Sequence, residues 1–273
     1  MLSILKNAEK GSITYYVGDN PSHILHLSDC TLYCKKEFDG LYNVNQIVVD
    51  NPQLEFYKLS HTIPNEYTFH IRDYQIGYGC NIDTTSVIGG GVVIGNNVTI
   101  GPNVVIYSKT KIGDGTRIDA NCTIGSEGMM WAWDGDTKVF LKQLGGVDIG
   151  NGCIIGSNSV IVRGSANENT IIEDGVNMAP GCCIGHGTHI GENTHLANNI
   201  TIGGSVYIHS SNFIGCAAVI NPTVKITTSN VVVGGGSLVR KDITHDGVYV
   251  GNPLKLIKSI EGKLKGIPTW KIQ

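Results

Sequence analysis

The 273-residue sequence predicts a mainly β chain: a parallel β-helix of about eight triangular coils, preceded by a small α/β domain and closed by a short C-terminal helix. Three observations predict it. An aliphatic residue recurs every sixth position through most of the chain. Glycine reaches 36 residues, well above the roughly 7% of average proteins, in an ordered sequence that asks for a repeated backbone geometry. The first 75 residues and the last 30 lack the repeat.

In chain order, residues 1–75 read as an α/β domain. "GSITYYVGD", "CTLYCKKEF" and "NQIVVDNP" have strand composition, and "NPQLEFYKLSHTI" has that of a helix, with Asp50 or Asn51 as its cap and Pro52 at its first position. From Ile76 the hexad frame runs through Ile82, Ile88, Ile94, Ile100, Ile106, Ile112, Ile118 and Ile124. It resumes at Ile149, Ile155 and Ile161, again from Ile172 to Ile226 after a five-residue insertion, and ends with Val233 and Val239. That makes 24 hexads, and at three hexads per coil about eight coils over 76–243. Neither a helical period nor simple alternation produces a period of six. A triangular coil does: each hexad is one short strand and one corner, the aliphatic side chain fills the interior, and a small or β-branched residue four positions later (Thr188, Thr194, Val206) packs beside it. The Gly that often follows the aliphatic residue, as in Ile184-Gly185, is expected to ease the turn.

The same frame sorts the eight cysteines. Cys80, Cys122, Cys153 and Cys182 fall on inward positions and read as small core hydrophobes, whereas Cys183 and Cys216 point outward. Irregular spacing in a chain of this size predicts free thiols rather than a disulfide framework. The frame breaks at 125–146, "GSEGMMWAWDGDTKVFLKQLGG", where Asp134-Gly135 between apolar-rich arms predicts a hairpin. Residues 244–273 predict a turn and one short amphipathic helix.

A net charge of −3 offers no basic footprint for nucleic acid, and no apolar run of 18 residues predicts a membrane span. "MLSILKNAEKGS" has no long apolar core or cleavage site, so the chain is expected in the cytosol.

The hexads resemble those of the hexapeptide-repeat transferases, whose fold is a left-handed parallel β-helix. The whole chain is similar to one branch, the N-acyltransferases of nucleotide-linked amino sugars, including those of lipid A synthesis. "GSITYYV", "IVVDNPQLEFYKL", "GSEGMMWA…LKQLGGVDIG" and "CIGHGTHIGENT" carry that similarity. The resemblance implies a homotrimer with each active site between two subunits, His186 as the catalytic histidine, and Gln143 at the end of an active-site hairpin. It implies Tyr15, with Tyr16 beside it, against the pyrimidine base, and Glu127, Met129 and Asn198 among substrate-binding residues. The chain departs from the branch at Asn198-Asn199, where that branch has two glycines, and at Thr223, where it has a second histidine. The ending "VVGGGSLVRKDITHDGVYVGNPLKLIK" resembles coenzyme-A-dependent acetyltransferases instead, which implies acetyl-CoA as donor and a dTDP- or UDP-linked amino-deoxysugar, such as a 3-amino-3,6-dideoxyhexose, as acceptor.

These residue types suit that chemistry. Acyl transfer to an amine needs a proton acceptor, a nearby thioester and donors for the developing oxyanion. His186 sits two positions after Ile184 and points outward, and an imidazole titrates near neutrality. Glu192 and Asn193, one hexad on, are candidates to orient it. Gly234, Gly235, Gly236 and Ser237 would let a ligand approach the backbone, and Arg240, Lys241, Lys255 and Lys258 are candidate phosphate partners. His189 and His195, six apart, fall on adjacent faces and do not stack, since stacking takes 18 residues. Histidine spacings of 3 and 6 do not match the H-x4-H pair of the β-helical carbonic anhydrases, so no metal site is expected. Two alternatives stay open: a lipid A UDP-3-O-acylglucosamine N-acyltransferase fed by acyl carrier protein, and a non-catalytic sugar-nucleotide-binding β-helix.

Overall fold

A computed structural model describes residues 1–64, 73–252 and 254–259. It divides the chain into two compact units. One comprises Met1–Glu66, Glu127–Gly145 and Gly164–Glu168; the other comprises Tyr67–Ser126, Gly146–Arg163 and Asn169–Gln273. The hairpin and the five-residue insertion fold with the N-terminal residues, because their apolar side chains share a core with them and leave the hexad frame.

In the N-terminal unit a parallel sheet runs β1 (Ile13–Tyr15), β2 (Thr31–Cys34), β3 (Asn45–Val48). Helix α1 (Pro52–Ser60) starts where the sequence places it: Pro52 needs no amide partner at the first position, and the Asn51 side chain accepts a hydrogen bond from Leu54 N at 3.1 Å. Period-two alternation gives the sheet two packed sides. Tyr16, Ile24, Leu32, Cys34 and Phe38 form one cluster. Leu2, Phe56, Tyr57, Ala132 and Leu141 form the other, with Tyr15 packed on it. The hairpin pairs Trp131–Asp134 with Thr137–Phe140, and its turn places Gly135 at φ +57°.

The second unit is a parallel β-solenoid. Its first face stacks eight strands from Gln75–Ile76 to Lys225–Ile226, and its third stacks eight from Val87–Ile88 to Leu238–Val239. The second face stacks strands from Asn81–Ile82 to Val231–Val233 and is extended by Gly247–Val250 and Lys255–Lys258 to ten. Frame residues meet frame residues eighteen positions on, as Ile184 does Ile202 and Ile202 does Ile220. Their side chains form one continuous buried core, which includes Cys122, Cys153 and Cys182. All eight cysteines are free, with Cys183 and Cys216 exposed. Burial pushes the Cys122 thiol up to about 11, as expected of a core hydrophobe.

Two expectations are corrected here. Residues 255–258 form a strand antiparallel to Gly247–Val250, so no helix begins there; the rest of the expected C-terminal helix, residues 260–273, lies outside the described residues, as does Pro253. The corner geometry also differs. The left-handed residue is the third after the aliphatic one, as at Gly187 (φ +61°) or Asn193 (φ +55°), not the first. Glycine at the first position answers a different need: a Cβ on Gly185 would lie 2.6 Å from the Gly203 carbonyl carbon in the next coil, closer than atoms pack.

Candidate active site

His186 stands on the corner between the third and first faces, after Cys183–Ile184 and before His189–Ile190. The strand register stacks His186, Gly204, Pro222 and Lys241 one above another. Backbone hydrogen bonds fix the column: Ser205 N donates to His186 O at 2.7 Å and Thr223 N to Gly204 O at 2.9 Å. From below, Gly187 N donates to Thr170 Oγ1 at 2.9 Å, and that hydroxyl donates to Val162 O at 2.6 Å. The imidazole lies against the Gly204 backbone. A Cβ on Gly204 would be 2.3 Å from Nε2 and 2.6 Å from Cδ2, so any side chain there would displace the ring. Gly203 N and Ser205 N are used in the coil-to-coil ladder, donating to Ile220 O and His186 O, while among the described residues the Gly204 amide has no acceptor. A half-buried imidazole with an uncommitted N–H beside it is the arrangement that acyl transfer requires: a proton acceptor next to a donor for an oxyanion.

Both excursions leave the solenoid at this corner. Ile124, Ile161 and Ile184 are in register, and the chain departs after the first two.

The other histidines take the predicted places. His189 is on the first face and His195 on the second. His189 Nε2 is 2.5 Å from Glu173 Oε1, and its ring meets Tyr207 edge-on at 5.2 Å between centroids. Glu192 and Asn193 belong to the next corner, where Glu192 N donates to the other Glu173 oxygen and Ser211 N to Glu192 O, so they do not orient His186. Asn198 is exposed on the third corner, between the second and third faces, and is not brought to His186 either. Among the described residues no three His, Cys, Asp or Glu side chains are grouped to hold a metal ion.

At Gly234–Ser237 three of the four backbone amides have acceptors within the fold. Gly234 N donates to Tyr249 O, Gly236 N to Cys216 O and Ser237 N to Gly234 O, while the Ser237 hydroxyl accepts from Gly251 N. These three amides are committed to the fold; the Gly235 amide is not among them. Glycine is needed at 234 because Val250 Cγ1 would lie 2.6 Å from a Cβ. Arg240 and Lys241 are exposed on the His186 corner, at one wall of a cleft of about 450 Å³ completed by Leu238, Ile243, Tyr249, Leu254 and Leu256. Asp242 also lines it, but its carboxylate accepts from Lys225 N at 2.8 Å. Lys255 is exposed outside this lining; the side chain of Lys258 lies outside the described residues.

In the N-terminal unit Tyr16 is 8% exposed, gives its hydroxyl to Asn20 O at 2.9 Å and packs on Phe38. It is core, not a base-stacking ring. Tyr15, its neighbour on the other side of the sheet, is half-buried against Phe56 at 4.9 Å, and burial raises its hydroxyl pKa well above the usual tyrosine value. Gln143 is 1% exposed and accepts a hydrogen bond from Gly128 N at 2.5 Å, closing the base of the hairpin. Glu127 and Met129 are exposed nearby in sequence. The hexad frame already contained the signal for Gly204, which is His186 plus eighteen; reading the frame for neighbours as well as for core would have found it.

No family model matches the chain. A UDP-3-O-acylglucosamine N-acyltransferase of Delftia acidovorans is 32% identical over 47% of this chain, which spans 38% of that protein. One of Coxiella burnetii is 31% identical over 234 residues, 76% of this chain and 68% of that protein. Among solved structures, the UDP-N-acetylglucosamine acyltransferase of Campylobacter jejuni is 26% identical, with 68% of this chain and 71% of that one covered at a TM-score of 0.58. A second UDP-N-acetylglucosamine acyltransferase, 24% identical over 68% and 70% at a TM-score of 0.62, shares the fold. With 31% identity over two thirds of the Coxiella relative, and a solenoid shared with the solved acyltransferases, the chain belongs to the β-helical acyltransferase family of the UDP-3-O-acylglucosamine N-acyltransferases.

Proposed function

We propose that this chain transfers an acyl group from a phosphopantetheine thioester to the amine of a nucleotide-linked amino sugar. The observation that carries the reading is the His186 corner, with its imidazole against Gly204 and an uncommitted amide beside it. His186 takes the proton of the attacking amine. The Gly204 N–H stabilises the oxyanion that forms as nitrogen adds to the thioester carbonyl, and collapse of that intermediate expels the thiolate. Lys241 is three rungs above His186 in the same column, about 14 Å away at ~4.8 Å per coil. That separation suits a pantetheine arm with its phosphate held by Arg240 and Lys241 and its thioester at His186.

The names of the curated relatives favour a UDP-linked 3-O-acylglucosamine as acceptor. The second reading, acetyl-CoA with a dTDP- or UDP-linked amino-deoxysugar, is supported by the cationic cleft at Arg240 and Lys241, which offers a soluble donor a phosphate site. Thiol release with acetyl-CoA, longer acyl-CoAs and acyl carrier protein, each against UDP- and dTDP-linked amino sugars, tests both. The reading expects release that depends on the amine. Release in the absence of any amino sugar, or with none of these pairs, rejects it. Assembly as a trimer belongs to the same proposal, and light scattering of the purified protein checks it.

A further inference from the structure

Thr223 is the one β-branched residue among the described residues whose backbone is left-handed, at φ +67°. Its Cβ branch crowds the backbone there, a conformation in which glycine or asparagine sits without that conflict. Equivalent corners of this chain use residues without a Cβ branch: Gly187, Asn193, Asn199, Ser205, Ser211 and Ala217 hold the same position in the preceding hexads. The backbone at 223 is imposed by the coil, since Thr223 N donates to Gly204 O and the flanking Val224 is buried in the core. The threonine side chain is exposed and is no part of that packing. A strained residue retained with its hydroxyl in solvent points to a use for the hydroxyl.

Its place says which use. Gly187, Ser205, Thr223 and Asp242 stack on the His186 corner, so Thr223 lies between the Gly204 rung and the Lys241–Asp242 rung. Any chain running from the Arg240–Lys241 cleft to His186 along this corner passes it. We infer that the Thr223 hydroxyl binds the acyl donor, hydrogen-bonding an amide of the pantetheine arm between its phosphate and its thioester. The inference rests on the acyl-transfer reading above and adds to it a residue that discriminates amide-bearing thioesters.

The test is steady-state kinetics and thermal unfolding of Thr223→Gly and Thr223→Ser beside the unaltered protein, with acyl-CoA as the varied donor. Thr223→Gly should raise Tm by about 2–4 °C, because the left-handed strain is relieved. It should also raise the donor KM about threefold to tenfold, the loss of one hydrogen bond, with the acceptor KM unchanged. Thr223→Ser keeps the hydroxyl and should keep the donor KM. A higher Tm with an unchanged donor KM overturns the inference, as does a rise confined to the acceptor KM. Those results leave the acyl-transfer reading standing. Failure of the unaltered protein to turn over any thioester donor removes that reading, and this inference with it.

Discussion

At the scale of single residues, the account turns on what surrounds one imidazole. Sequence similarity pointed to His186; the structure adds that its ring rests where a side chain at 204 would be. Gly204→Ala is therefore expected to lower kcat by about tenfold or more by moving the ring, while leaving the fold intact, because the corner backbone at 204 faces solvent rather than the core. Turnover equal to the unaltered protein's would show that the ring pose is irrelevant to the chemistry. Gln143 and Tyr16 teach the opposite lesson. Both were legible as residue types suited to a site, and both are buried, with Gln143 Oε1 taken by Gly128 N and the Tyr16 hydroxyl by Asn20 O. Burial of that kind depends on partners distant in sequence, such as Phe38 beside Tyr16, and no local pattern reports it.

At the scale of elements, the hexad frame specifies strands, faces and inward cysteines because its period is set by the coil itself. The cap of α1 was equally plain, since Asn51 and Pro52 act within one turn. The glycine-rich corner at 234–237 is ambiguous in sequence because glycine serves both ligands and close backbone packing. The structure shows packing: the added strand Gly247–Val250 crosses it. Gly234→Ala should consequently lower Tm by about 2–5 °C through overpacking against Val250, with the KM for the acyl donor unchanged. A raised donor KM at unchanged Tm would return this corner to a ligand-binding role. The strand at 255–258 was missed for a related reason, since its partner lies across a turn and its alternation spans only four residues.

For the whole molecule, the solenoid's stability carries a pH signature along one corner. Asp114 accepts from Asn96 N at 2.7 Å, and Asp174 from Asn151 N at 2.7 Å. Those backbone hydrogen bonds hold both carboxyls below the usual carboxylate range. A depressed folded-state pKa contributes stability that is present above the ordinary value, about 3.9, and is lost as pH falls through the folded one. Tm measured from pH 7 to pH 3 should thus fall below about pH 4, and fall less in Asp114→Asn/Asp174→Asn, where the amide oxygen still accepts the backbone bond while the bond from the Asn96 or Asn151 side chain to Oδ2 is lost at every pH. Equal slopes in both proteins would remove these two groups from the acid response. The repeat made the solenoid readable from sequence as a whole, whereas the partition that assigns the hairpin to the N-terminal unit depends on shared core contacts and was not.

The central claim is that acyl transfer happens at the His186 corner. It is tested most directly by amine-dependent thiol release from acyl-CoA or acyl carrier protein by His186→Ala beside the unaltered protein. The account predicts that kcat falls about 10²- to 10⁴-fold while KM for the amino sugar changes little. Near-full turnover by His186→Ala would contradict it and send the amine's proton elsewhere.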